Sequence, residues 1–137
     1  MSRGKRLALA IVVALVACGF WAAHANAYVY WGHDTSSGAI VRAATDGTGT
    51  PNQSFVPGAT SPGGVAVSLR YVYWSNGNNG AIGRANLDGT GVNQSFITGA
   101  SGPGVAVDSQ YIYWDNANGG SIGRAKARRR GPFSGRH

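Results

Sequence analysis

The chain has a single cysteine, Cys18, among 137 residues, so no disulfide can staple its fold. Histidine is almost as scarce. His24 lies near the start and His137 at the other end, which leaves His33 alone between them. A histidine metal centre or a Ser-His-Asp triad therefore has no recurring histidine to build on, although Ser54 and Ser95 do recur. Charged residues are only 12% of the chain. After the first 27 residues no stretch keeps a 3.6-residue apolar period, which argues against helices there. The glycine runs lack the following helix that a phosphate-binding loop needs.

The net charge of +7 belongs to the two ends. Arg3, Lys5 and Arg6 precede an apolar run, and Lys126, Arg128, Arg129, Arg130 and Arg136 close the chain. Between residues 27 and 125, four arginines face five aspartates, a net charge of −1. The basic pI thus gives no reason to expect nucleic acid as a partner.

What the chain has instead is a repeat. Tyr28-Val29-Tyr30-Trp31, Tyr71-Val72-Tyr73-Trp74 and Tyr111-Ile112-Tyr113-Trp114 are near copies. Ala39-Ile40-Val41-Arg42-Ala43 matches Ala81-Ile82-Gly83-Arg84-Ala85 and Ser121-Ile122-Gly123-Arg124-Ala125. Asn52-Gln53-Ser54-Phe55 is identical to Asn93-Gln94-Ser95-Phe96, and Gly64-Val65-Ala66-Val67 to Gly104-Val105-Ala106-Val107. A period of about 40–45 residues made of short strands points to β-propeller blades. The middle copy predicts strands at 65–68, 71–74, 81–86 and 94–97, joined by asparagine- and glycine-rich turns. Asp88-Gly89 signals a hairpin. The small face of Ala81, Gly83 and Ala85 predicts close packing on a neighbouring sheet. The expected fold is all-β: four-stranded antiparallel blades, ten strands in all, with repeats near 28–63, 64–103 and 104–125. That makes about two and a half blades, an incomplete ring, since closure takes four to eight.

Residues 1–27 read as an export signal forming a helix, with a basic start, an apolar stretch from Leu7 to Ala17, and small-residue cleavage patterns ending at Ala25 and Ala27. Cleavage after Ala27 starts the mature chain at Tyr28. Leu15-Val16-Ala17-Cys18 resembles a bacterial lipobox, which implies lipidation at Cys18 instead; an uncleaved anchor is the third reading. Each of them exports the repeat body to the periplasm, the cell surface or the medium. Membrane contact is expected only through this segment.

The blade string resembles the Tyr-Trp-Thr-Asp repeat of the low-density lipoprotein receptor class B family. The residues that carry the resemblance are Tyr73-Trp74, Ile82-Gly83-Arg84-Ala85-Asn86-Leu87-Asp88-Gly89, Pro103 and Gly104-Val105-Ala106-Val107-Asp108. It covers residues 28–125 and implies six-bladed propellers that act chiefly as interaction scaffolds for protein or glycan. The structural motif positions are Tyr30, Trp31, Arg42, Tyr73, Trp74, Arg84, Asp88, Gly89, Asp108, Tyr113, Trp114 and Arg124. The chain departs from the pattern where the motif's last aspartate becomes Asn76, Asn116 or His33, and where Ser68 replaces the aspartate kept as Asp108. The resemblance implies that these aspartates bridge blades, which puts that bonding in doubt. Related bacterial propellers include the streptogramin B lyases, so an enzyme active only in a full ring is the alternative function.

After Lys126 the third copy reads Ala127-Arg128-Arg129 where the second reads Leu87-Asp88-Gly89. Leu-Asp-Gly can be coded CTC-GAC-GGN, and one added G turns this into GCT-CGA-CGG, Ala-Arg-Arg. The expectation is a basic tail over 126–137 whose residues 127–137 are out of frame, and a fragment of a longer propeller. A genuine basic tail is the other reading.

No catalytic, cofactor or metal residues are assigned. His33 with Asp34 reads as a loop, and each Asp-Gly-Thr-Gly carries one carboxylate where a calcium loop needs several. The repeated aromatics and arginines read as packing rather than as a ligand surface. Open blade edges leave self-association as an expected partner mode.

Overall fold

Alternating β-branched and aromatic residues bounded by glycine and asparagine turns give short antiparallel strands. The structure, a computed structural model, describes residues 12–14, 27–35 and 37–127. Eleven strands are present among them: β1 (Val12–Ala14), β2 (Tyr28–His33), β3 (Ala39–Ala44), β4 (Asn52–Pro57), β5 (Pro62–Val67), β6 (Tyr71–Asn76), β7 (Ala81–Asn86), β8 (Asn93–Thr98), β9 (Val105–Val107), β10 (Tyr111–Asn116) and β11 (Ser121–Lys126). They form three antiparallel sheets in the orders β1-β2-β3-β4, β5-β6-β7-β8 and β9-β10-β11. These are consecutive blades of an incomplete propeller, and the ten strands expected from 28 onward are all there.

The eleventh strand was not expected. Val12–Ala14 lies in the segment read as a signal helix, yet its backbone pairs antiparallel with β2, Val12 opposite Tyr30 and Ala14 opposite Tyr28. It takes the inner place in its sheet that β5 and β9 take in theirs. The apolar run that reads as a leader thus also supplies a strand. Cys18, the cleavage patterns apart from Ala27, and the tail beyond Ala127 lie outside the described residues. Among the described residues no helix is long and apolar enough to cross a membrane.

The middle sheet is covered on both faces. Val72, Trp74 and Ala85 pack with Tyr30, Ile40, Phe55 and Val56 of the first sheet. Tyr73 and Ile82 pack with Ala100, Ile112 and Ala127 on the side of the third. Alternation along β6 thus sends successive side chains into two separate apolar seams. Each fully buried Ile, Val or aromatic there contributes on the order of 1.5–3 kcal/mol.

The small face of β7 acts partly as expected. Ala85 does face the neighbouring sheet. Gly83 lies directly opposite Trp74, and a Cβ on it would collide with that indole, so its close approach is within its own sheet. Gly123 stands in the same relation to Trp114. The Asp88-Gly89 hairpin is wider than a two-residue turn: β7 and β8 are joined by residues 87–92, with the Asp88 carboxylate accepting from the Thr90 amide (2.9 Å) and hydroxyl (2.6 Å).

Candidate functional site

A buried amide needs two acceptors and two donors around it. Asn76, at the end of β6, is fully buried and finds all of them. Its Oδ1 accepts from Thr60 N (3.0 Å) and from Trp74 Nε1 (3.1 Å). Its Nδ2 donates to the Gln94 carbonyl (2.7 Å) and to Gln94 Oε1 (3.1 Å). The two backbone partners fix which end of the amide is which. Gln94 Oε1 also accepts from Trp74 Nε1 (3.1 Å), and Gln94 Nε2 donates to Pro57 O in the first sheet (2.9 Å). Three side chains thus clasp the inner strands, the outer strand and the preceding sheet together.

At this copy Asn76 ties its own sheet to the Thr60 linker and holds Gln94, which makes the bond to the first sheet; an aspartate could not donate to Gln94. The other copies differ. His33 takes the same place in the first sheet and is exposed. Asn116 takes it in the third, where it accepts from Ser101 N and donates to Ser121 Oγ, both at 3.5 Å. Gln94 was not singled out from the sequence. Its exact recurrence as Gln53 was the available signal, but Gln53 is exposed.

The arginines also join sheets. Arg42 lies between Tyr28 (4.3 Å) and Phe55 (4.2 Å) and donates to the Leu87 carbonyl of the next sheet (3.0 Å). Arg84 lies between Tyr71 (4.4 Å) and Phe96 (3.9 Å), but its buried Nε has no partner among the described residues. Arg124 stacks on Tyr111 alone (4.5 Å). Each such stack contributes about 0.5–2 kcal/mol. A further inter-sheet bond runs from Ser75 Oγ to Pro103 O (2.7 Å).

Asp108 does not bridge blades. Its Oδ1 accepts from Gln110 N (2.7 Å) and Tyr111 N (2.6 Å), and its Oδ2 from Tyr113 Oη (2.9 Å), all within the third sheet. The two amides, then the phenol, hold its carboxyl below the ordinary value of 3.8. In return the carboxylate raises the Tyr113 phenol. Ser68 caps the same turn through the Arg70 and Tyr71 amides but leaves the buried Tyr73 hydroxyl without a hydrogen bond of good geometry. Burial raises the Tyr73 phenol, as it does Tyr30. Hydrogen bonds from Thr90 lower Asp88.

Among the described residues no group of three or more His, Cys, Asp or Glu comes together. His33 and Asp34 sit exposed after β2. A polar depression of about 220 Å³ opens beside Arg42, lined by Tyr28, Thr48, Thr50 and Asn52. Neither the protein-family models nor the curated proteins contain a match to the chain.

Proposed function

We propose that the chain is an exported, non-catalytic repeat module of the Tyr-Trp-Thr-Asp type. It forms part of a longer propeller whose ring surface binds protein or glycan. The observation that carries this reading is where the recurring polar side chains go. Arg42, Asn76, Gln94 and Ser75 are committed to carbonyls and amides of neighbouring strands and sheets. These positions assemble blades, which is what a scaffold requires. Among the described residues Trp114 Nε1 lacks the acceptor that Gln94 gives Trp74, which supports a fourth strand on the third blade of the parent.

The test begins with the gene. Translation of the DNA after codon 126 in the other frames is expected to give Leu-Asp-Gly and further Tyr-Trp repeats. The frame-restored protein is then applied to a glycan array and assayed for turnover with and without chelator. Selective glycan retention or a defined protein complex supports the scaffold; chelator-sensitive turnover refutes it in favour of a lyase. Mass spectrometry of the exported product checks the leader: an N-terminus at Tyr28 means cleavage, a lipidated Cys18 means an anchor, and full-length cytoplasmic protein refutes export.

A further inference from the structure

The three sheets repeat one design, so each shows what another is missing. In the first two, an outer strand of sequence Asn-Gln-Ser-Phe lies against the Ile-x-Arg strand in the same register. Ile40 opposes Val56 and Arg42 opposes Asn52; Ile82 opposes Ile97 and Arg84 opposes Asn93. In the third sheet β11 is the outermost strand among the described residues.

Three side chains of the third sheet register that difference independently. Trp114 Nε1 is buried and has no hydrogen-bond partner among the described residues, whereas Trp74 Nε1 donates to Gln94 Oε1 on the outer strand. Arg124 stacks on one ring, whereas Arg42 and Arg84 are each enclosed by a second, Phe55 or Phe96, from the outer strand. Ile122 is 71% exposed, whereas Ile40 and Ile82, fully buried, are covered both by an aliphatic residue of the outer strand, Val56 or Ile97, and by the following sheet.

We propose that the outer edge of β11 is a docking site for an extended peptide strand of the pattern Asn-Gln-Ser-Phe followed by Ile or Val. The strand adds antiparallel to β11, as β8 adds to β7. Its asparagine lies opposite Arg124 and its aliphatic residue opposite Ile122. The glutamine carbonyl accepts from Trp114 Nε1, and the phenylalanine covers the open face of the Arg124 guanidinium. Main-chain ladder bonds supply affinity, and these three side chains select the sequence. The inference goes beyond the scaffold reading, because it rests on contacts within and between sheets and not on the ring's ligand.

The probe is a synthetic peptide of residues 91–100, Gly-Val-Asn-Gln-Ser-Phe-Ile-Thr-Gly-Ala, titrated into the full chain and followed by tryptophan fluorescence. Saturable 1:1 binding is expected. A Gln94→Leu peptide should bind about 5–10-fold more weakly, the worth of one hydrogen bond to a buried donor. That penalty should vanish against a Trp114→Phe chain, which keeps the ring and removes the N–H. Likewise the loss caused by a Phe96→Ala peptide should shrink against Arg124→Ala. Circular dichroism checks that both variants keep their strands. Absence of saturable binding overturns the proposal, as does a glutamine penalty that persists without the indole N–H. If the chain is oligomeric by light scattering, conversion to monomer by the peptide supports the same edge with a second copy's strand on it. An oligomer indifferent to the peptide overturns it. Any of these failures leaves the glycan and turnover assays untouched, so the two readings fail separately.

Discussion

Asn76→Asp changes one atom and restores the residue of the Tyr-Trp-Thr-Asp pattern, yet it should be among the costlier substitutions in the chain. The carboxylate keeps the two bonds accepted from Thr60 N and Trp74 Nε1. It loses both donated bonds and sets a negative oxygen against the Gln94 carbonyl, now a donor–acceptor pair at 2.7 Å. Turning the Gln94 amide over gives no relief, because Trp74 Nε1 would lose an acceptor and Pro57 O its donor. A buried charge left without its compensation costs about 3–5 kcal/mol, and the two strengthened acceptor bonds recover part of that. The expected net loss is about 3 kcal/mol at neutral pH. The same quantity raises the new carboxyl by roughly 2 pH units above its unfolded value of about 3.9, at 1.36 kcal/mol per unit. The sign follows: the folded form holds its proton more tightly, so the deficit is small below the unfolded value. It grows as pH rises to about 6 and is constant above. Urea unfolding of variant and parent at about pH 4 and about pH 7, followed by tryptophan fluorescence, measures the difference. Asn116→Asp, half-exposed and with longer bonds, is the control and should cost under about 1 kcal/mol. A neutral-pH deficit below about 0.5 kcal/mol, or an equal deficit at both pH values, would refute the clasp.

Other expectations follow from the same comparison of copies. Ser68→Asp should stabilise by about 1 kcal/mol by giving Tyr73 Oη the acceptor that Tyr113 has, and Tyr73→Phe should abolish the gain in thermal melts. Gly83→Ala drives a methyl into the rigid, fully buried Trp74 ring and should cost about 3 kcal/mol, a drop in melting midpoint of at least about 10 °C. Asp108, held low by its hydrogen bonds, contributes stability that is present above the unfolded carboxylate value and lost as pH falls through the folded one. Asp108→Asn should therefore flatten the acid limb of the melting curve, and an unchanged limb counts against the cap. Replacing Ala127-Arg128-Arg129 by Leu-Asp-Gly should raise the midpoint by several degrees, because in the second sheet Leu87 O accepts from Arg42 and Gly89, at φ +88, sits so close to Phe55 that a Cβ there would come within 3.1 Å of its carbonyl oxygen. No shift would mean that this turn does not dock at the third sheet as it does at the second.

The strands and their pairing were legible because every blade carries the same alternation, and the expected 81–86 strand is β7 to the residue. The clasp was not. A motif comparison treats Asn76 as a lapse from aspartate, since it cannot show that the facing groups are the oxygens of Gln94. Nor can it distinguish Gln53 from Gln94, identical in local sequence but exposed in one copy and half-buried in the other, because the difference lies in the partner residue, His33 or Asn76. The assignment of Asp108 to inter-blade bonding failed for a related reason: a carboxylate after a strand meets the amides of its own turn first. β1 was missed because its apolar run reads equally well as a leader.

The two seams flanking the middle sheet also set an order of events. β6 and β7 are the strands whose partners come from both neighbours, so their native environment forms only once the outer sheets have docked. In a linear array each end unit has one neighbour and opens first, and opening propagates inward. Amide hydrogen exchange should therefore be slowest across Val72–Trp74 and Ile82–Ala85 and should quicken toward β2 and β11, a gradient that a closed ring would erase.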